Sequence, residues 1–445
     1  MSVMKTSATA PDSDGSGKPL SAAETRTQRV ISIDALRGLV MFTMIFVNDI
    51  AGAEHIPAWL KHYNDGREGS GMTFVDLVFP AFLFIVGMSI PFALGARLAR
   101  GEPRWKLLGH IALRTLSLLA IGILMVNAES GPPNGRTPLS HAAWTALLYV
   151  AAILSFCTLA PPSDRSRAAD PARQRRFALI TRALRILGIT TLLWLALIYR
   201  TDTGKPLLAF HATWPILSIR TEWYGILGLI GWAYLVASIV YLLFRQNRLA
   251  LLTCMVLLLC LFPADRKRAF DGFWLHKVVS IGEALGSQAS IAVTGLMLAT
   301  ILQTPDTKAH ARRIRFTLCF ALACAAAALL LQPLYGIIKN DATPSWCLWA
   351  CAVTAICWLI LYLVTDVARR PLVTKPLAIA GENVLLAYLL SQGLDSWLTL
   401  MHQGTWYASL AERGFAQAVT RSAGCATVIL LLTAALNRIG FKLKL

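Results

Sequence analysis

The chain has 445 residues, of which 56% are hydrophobic and only 15% charged, and it carries a net charge of +18. A soluble globular protein has about 25% charged residues, so this composition argues against the soluble class. The positive charge lies in short clusters between apolar runs, as in the loops of a membrane protein, and not in a surface built to bind nucleic acid.

The first 30 residues are rich in Ser, Thr, Ala and Gly, and read as a disordered cytoplasmic tail. Residues 31–445 read as a single transmembrane domain. About 20 helical residues cross a bilayer core, and transmembrane helices are expected near 37–53, 74–96, 107–127, 141–160, 178–199, 223–244, 249–262, 286–303, 314–334, 346–365, 377–400 and 419–437. The fold class is therefore an all-α polytopic membrane protein of about 12 helices, within a range of 10–12. The first span is expected to serve as its own uncleaved insertion signal. With the N-terminus inside, the inner segments hold more than twice as many Lys and Arg residues as the outer loops. This predicts that both termini are cytoplasmic. The outer loop with Arg266, Lys267 and Arg268 runs against that rule, by chance or as a site for an acidic group. Spacings such as Gly225, Gly228 and Gly231 favour close helix contact.

Candidate chemistry concentrates early in the chain. Asp34 and Arg37 open the first span, Asn48 and Asp49 lie near its outer end, His62 follows in a loop, and Asp76 begins the second span. Polar groups at membrane depth are costly and commonly mark a cavity or pathway. All four outer residues are expected at the ends of two adjacent helices, converging on one site or forming a helix-capping cluster. Six of the eight histidines (His55, His62, His141, His211, His276 and His402) fall on or near the outer side, where a lone histidine is commonly only a polar anchor. None of the nine cysteines forms a CxxC pair, and neither disulfides nor a metal are expected.

The stretch contains S-x-D-x-x-R-G (Ser32, Asp34, Arg37, Gly38), F-V-N (Phe46 to Asn48), Lys61-His62, and D-L-V-F-P (Asp76 to Pro80) followed by F-x-F-I-x-G (Phe82 to Gly87). It resembles the start of the membrane domain of the heparan-α-glucosaminide N-acetyltransferase family and its bacterial relatives, among them proteins linked to N-acetylglucosamine use. Lys339-Asn340, Pro344-Ser345, Asp366, Asn383 and Tyr388 follow in the family's order. The resemblance thins between about 128 and 222, so the helices near 141–160 and 178–199 read as a pair added to a ten-helix acyltransferase core.

The resemblance implies transfer of an acetyl group from cytoplasmic acetyl-CoA, as co-substrate, to an amino sugar or related glycan outside a bacterial inner membrane. His62 is carried over as the catalytic residue, either as a general base or as an acetyl-histidine nucleophile. Asn48 would serve the oxyanion or position the sugar, and Asp76 would orient the imidazole or hold the acceptor. Asp49, Lys339 and Asn340 are candidates for binding the acceptor. Asp34, Arg37, Arg97 and Arg114 are candidates for the CoA end, although positive-inside topology explains single arginines equally well. A homodimer is compatible with this reading. A transporter of the same sugar and an O-acyltransferase acting on a polysaccharide are the competing functions.

Overall fold

The computed structural model describes residues 31–444, except 54–55, 64–68, 130–137, 160–170, 202, 212–216, 304–309, 369 and 413. The expected tail, His55, Arg165 and Lys308 lie outside the described residues. Ile31–Leu445 form one compact unit.

Helices form wherever apolar runs let the backbone bond to itself, the condition that lipid imposes. In chain order they are α1 (Ile31–Ile50), α2 (Val78–Ala99), α3 (Arg104–Glu129), α4 (His141–Phe156), α5 (Pro171–Ile198), α6 (Gly225–Phe244) and α7 (Arg248–Arg266). The second half holds α8 (Ala289–Gln303), α9 (His310–Tyr335), α10 (Pro344–Tyr362), α11 (Pro371–Ala380), α12 (Val384–Leu400), α13 (Gly404–Glu412) and α14 (Phe415–Arg438). Several starts carry recognisable signals. Ser140 and Asn247 cap α4 and α7 by accepting from the backbone N–H three residues on, and Pro344 occupies the first turn of α10.

Among the described residues, ten helices are long and apolar enough to cross a membrane, and α11 with α12 makes an eleventh span if the two are joined. The protein is an all-α polytopic membrane protein. Two expected spans differ in form. The 377–400 span is broken and bends by 76° between α11 and α12. The α4 helix has 16 residues, a rise of about 24 Å at 1.5 Å per residue. It is extended by β1 (Cys157–Leu159), which pairs antiparallel with β4 (Phe441–Leu443) after α14. A hairpin of β2 (Leu208–Phe210) and β3 (Leu217–Ile219) precedes α6.

The centre is α8, which enters through a π-helical turn, Ile281–Gln288, and packs against α2, α6, α7 and α10. Glycines set its distance from α2. A Cβ at Gly87 would overlap the Ala292 carbonyl, and one at Gly295 would overlap that of Phe84. The same close approach joins α1 to the α11–α12 break, through Gly38 and Gly381. Peripheral helices α5, α7, α9 and α14 turn large apolar side chains outward, among them Leu187, Leu257, Leu330 and Leu431. Burial drives water-soluble proteins to hide such side chains, so this outward stripe matches a lipid-facing surface.

Alternation of helix direction divides the bundle ends into two faces. One, the basic face, has the start of α1, the ends of α2 and α14, and the β1–β4 pair. The other, the far face, has the end of α1, the start of α2 and the loop from α9 to α10.

Candidate functional site

On the far face, the chain leaves α1, makes a short 3-10 turn at Ala58–Leu60, and returns to α2 through a second 3-10 turn at Val75–Leu77. Asp76 lies in that second turn and is 1% exposed. A buried carboxylate needs its lone pairs filled, and this one has four partners. Oδ1 lies 2.7 Å from Nδ1 of His62. Oδ2 accepts from the backbone N–H of Tyr63 at 3.0 Å, from that of Thr73 at 2.9 Å, and from the Thr73 hydroxyl at 3.3 Å. The single Thr73 hydroxyl proton is shared, with the Lys61 carbonyl the nearer acceptor at 2.7 Å, so the segment bearing His62 is tied to the start of α2 at several points. The His62 side chain remains 37% exposed.

A carboxylate only accepts, so Nδ1 of His62 carries the proton of the shared bond and Nε2 is the free base of the neutral ring. Lys339 adds a cation. Its Nζ lies 3.0 Å from Nδ1 and 3.2 Å from Nε2, and 3.9 Å from Oδ1 of Asp76. Nearly equal distances to the two ring nitrogens place the ammonium over the imidazole ring, off the in-plane lone pair of Nε2.

Lys339 reaches this position because its loop is anchored twice. Gly71 donates its N–H to the Ile337 carbonyl at 2.9 Å, which joins the loop to the segment before α2. Asp341, two residues beyond Lys339, pairs with Arg266 at 2.9 Å, and Arg266 also reaches Glu283 at 3.6 Å. Arg266, from the loop that broke the charge rule, therefore meets acidic groups of the protein itself. Gly336 and Ala342 bracket the loop at φ +66° and +50°. Asn340 is exposed at its tip.

The other two outer residues belong to a different pocket. Asp49 accepts from the Tyr407 hydroxyl at 2.7 Å and the Ser422 hydroxyl at 2.6 Å, and forms an ion pair with Arg421 at 3.1 Å. Asn48 and Asp49 line a cavity of about 370 Å³ together with Ser391, Gln392, Asp395 and Arg421. The structure thus brings His62, Asp76 and Lys339 together, and sets Asn48 and Asp49 beside α12, α13 and α14. Arg421 and Tyr407 escaped the sequence reading. A charged residue inside the last span was the available signal for the first of them.

A larger cavity, about 570 Å³, opens at the basic face between α1, α2, α3, α6, α12 and β4. Arg37, Arg97 and Arg114 all line it, with Lys444, Tyr234 and Tyr388. Asp34 sits behind Arg37, which is held in place by three groups: Asp34 Oδ1 at 2.7 Å, the Ser89 hydroxyl at 2.7 Å and the Gly381 carbonyl at 3.2 Å. Arg114 stacks over Tyr234 at 4.6 Å, and its buried Nε has no hydrogen-bond partner. Cationic and apolar in its lining, the cavity suits a ligand with anionic and apolar parts. Its deepest lining residue on α2 is Phe82, six residues from Asp76, or about 9 Å along a helix.

A family comparison covers the segment that carries His62 and Asp76. Residues 29–152 match a family described as a domain of unknown function, DUF5009. The human heparan-alpha-glucosaminide N-acetyltransferase is 40% identical over 99 residues, covering 22% of this chain and 14% of that protein. The mouse protein of the same name is 36% identical over 157 residues, covering 33% of this chain and 23% of that protein. The matches span less than a quarter of either relative's length. Over those stretches, the chain is similar to the heparan-alpha-glucosaminide N-acetyltransferases.

Proposed function

We propose that the protein is a transmembrane acetyltransferase of a bacterial inner membrane, with acetyl-CoA as donor and an extracytoplasmic amino sugar or glycan as acceptor. One observation carries the reading. A carboxylate–histidine pair and a cavity with three arginines lie at opposite faces of one bundle, in a chain related to N-acetyltransferases. Acetyl-CoA is made inside the cell and is too charged to cross unaided, so a donor site on the basic face and an acceptor site on the far face fit this chemistry.

In this reading Arg37, Arg97 and Arg114 hold the phosphate-bearing end of CoA, with Arg37 fixed by Asp34. The thioester passes Phe82 and Met44 to reach the far face. The acceptor's amine attacks the thioester carbonyl while Nε2 of His62 takes its proton. Asp76 accepts from Nδ1 and stabilises the imidazolium that forms. Collapse of the tetrahedral intermediate breaks the carbon–sulfur bond, releasing the CoA thiolate, which takes up a proton, and the N-acetyl sugar. Lys339 lies over the imidazole ring, where its ammonium is close enough to donate a hydrogen bond to the acceptor while the Nε2 lone pair stays open to the amine proton. The cavity beside Asn48 and Asp49 offers amide, hydroxyl and carboxylate groups for further sugar residues.

The test supplies purified protein with labelled acetyl-CoA and glucosamine. Label should enter the sugar, with stoichiometric release of CoA, and His62→Ala should abolish both. Sugar counterflow in proteoliposomes without CoA release would support a carrier instead.

A further inference from the structure

A third groove, of about 440 Å³, lies on the basic face between β1 and α5. Its lining divides into two chemical halves. Arg182, Arg185, Gln174, Thr158 and Thr181 make the end nearer the start of α5 polar and cationic, with Phe177 among them, while Ile186 and Ile189 make the other end apolar. The apolar half runs along α5, whose outward residues Ile186, Ile189 and Leu193 are exposed on the lipid-facing side. The cationic half lies nearer the start of α5, beside the exposed Arg175 and Arg176.

Two features make this a shaped site and not only a run of positive charge. Arg185 is fixed, donating from Nε to the Cys157 carbonyl at 2.8 Å and from an Nη to the Thr158 hydroxyl at 2.7 Å. Thr181 accepts from the Leu159 N–H at 3.2 Å, so β1 forms a wall of the groove. Among the described residues, no carboxylate pairs with Arg175, Arg176, Arg182 or Arg185.

The geometry points to this groove as a binding site for an anionic phospholipid, the phosphate at Arg182 and Arg185 and an acyl chain along Ile186 and Ile189. Charge complementarity chooses the occupant. A cationic end at the interface joined to an apolar track into the bilayer matches a molecule with a phosphate at one end and hydrocarbon at the other, and anionic lipids are attracted to basic segments at the cytoplasmic surface. A consequence for the bundle follows from the strands. β1 pairs with β4, and Leu443 and the adjacent Lys444 line the large basic cavity, so an occupied groove braces one wall of that cavity. Lipid binding itself stands independently of the acetyl-transfer reading.

The test uses the full chain in nanodiscs containing a photoactivatable phosphatidylglycerol, with cross-links mapped by peptide mass spectrometry. Cross-links should fall within residues 174–189, and unlabelled phosphatidylglycerol should compete with them. Neither phosphatidylcholine nor inorganic phosphate should compete. Arg182 is exposed, so Arg182→Glu should fold normally and lower the cross-link yield at least about fivefold, while Arg182→Lys should restore most of it. Equal competition by phosphatidylcholine, displacement by inorganic phosphate, or an Arg182→Glu yield equal to wild type would overturn the proposal.

Discussion

With four contacts on its buried carboxylate, Asp76 organises the far-face site: it orients the imidazole and ties two loop segments to α2. Asp76→Asn should cut kcat for acetyl transfer by about 10²–10⁴, the range of general-base catalysis, and should destabilise the fold by about 1–3 kcal/mol. Steady-state kinetics and chemical denaturation measure the two effects. Lys339→Met should be milder in kcat and raise KM for the acceptor, because it removes a donor without disturbing the His62–Asp76 bond. Tyr407 gives a pH signature. Burial, together with hydrogen bonds to Cys425 and Asp49, holds its phenol protonated well above the usual tyrosine range. A folded value raised above the unfolded one, about 10, stabilises fully below that pH, and this contribution is lost as pH rises through the folded value. Thermal melts above pH 10 should therefore fall more steeply for wild type than for Tyr407→Phe. The shared helix face of Asp34 and Arg37 was legible in the sequence, since they lie three residues apart at the start of the first span. So was the nearness of His62 to Asp76, joined by a short loop. The partner of Asp49 was not, because Arg421 lies 372 residues further along the chain, and helix order alone does not say which spans touch.

At the scale of elements, the apolar runs located ten of the twelve expected spans as long helices, with the 377–400 span broken and α4 shorter than a full crossing, because lipid leaves the backbone little alternative to a helix. They did not reveal the bend between α11 and α12, where Gly381, Glu382 and Asn383 interrupt an otherwise continuous apolar pattern. The break lets Gly381 approach Asp34 and offer its carbonyl to Arg37, so the interruption helps to build the basic cavity. Close packing of α2 on α8 predicts that Gly87→Ala, which would push a methyl group into the Ala292 carbonyl, costs about 1–3 kcal/mol. A thermal-shift series with Gly109→Ala as control, where a Cβ has open space, would measure it. Arg266, half exposed in its bridge to Asp341, should behave differently. Arg266→Ala should change global stability by less than about 1 kcal/mol, while amide exchange of residues 336–343 should quicken.

For the whole molecule, the functional reading depends on the two faces being different compartments. The excess of Lys and Arg in the loops on the side of the N-terminus is the sequence signal for that arrangement. The distribution of cavities could not be read in advance, since each is assembled from helices distant in sequence: α1, α2, α3, α6 and α12 for the arginine cavity, and α1, α12, α13 and α14 for the one beside Asp49. A sided reaction is the central claim, and a sided vesicle assay tests it most directly. Proteoliposomes oriented with the basic face inward would be loaded with labelled acetyl-CoA and placed in glucosamine. Labelled N-acetylglucosamine should appear in the external medium with CoA retained in the lumen, and His62→Ala should give neither product. Product formed only when acetyl-CoA and glucosamine share one side of the membrane would contradict it.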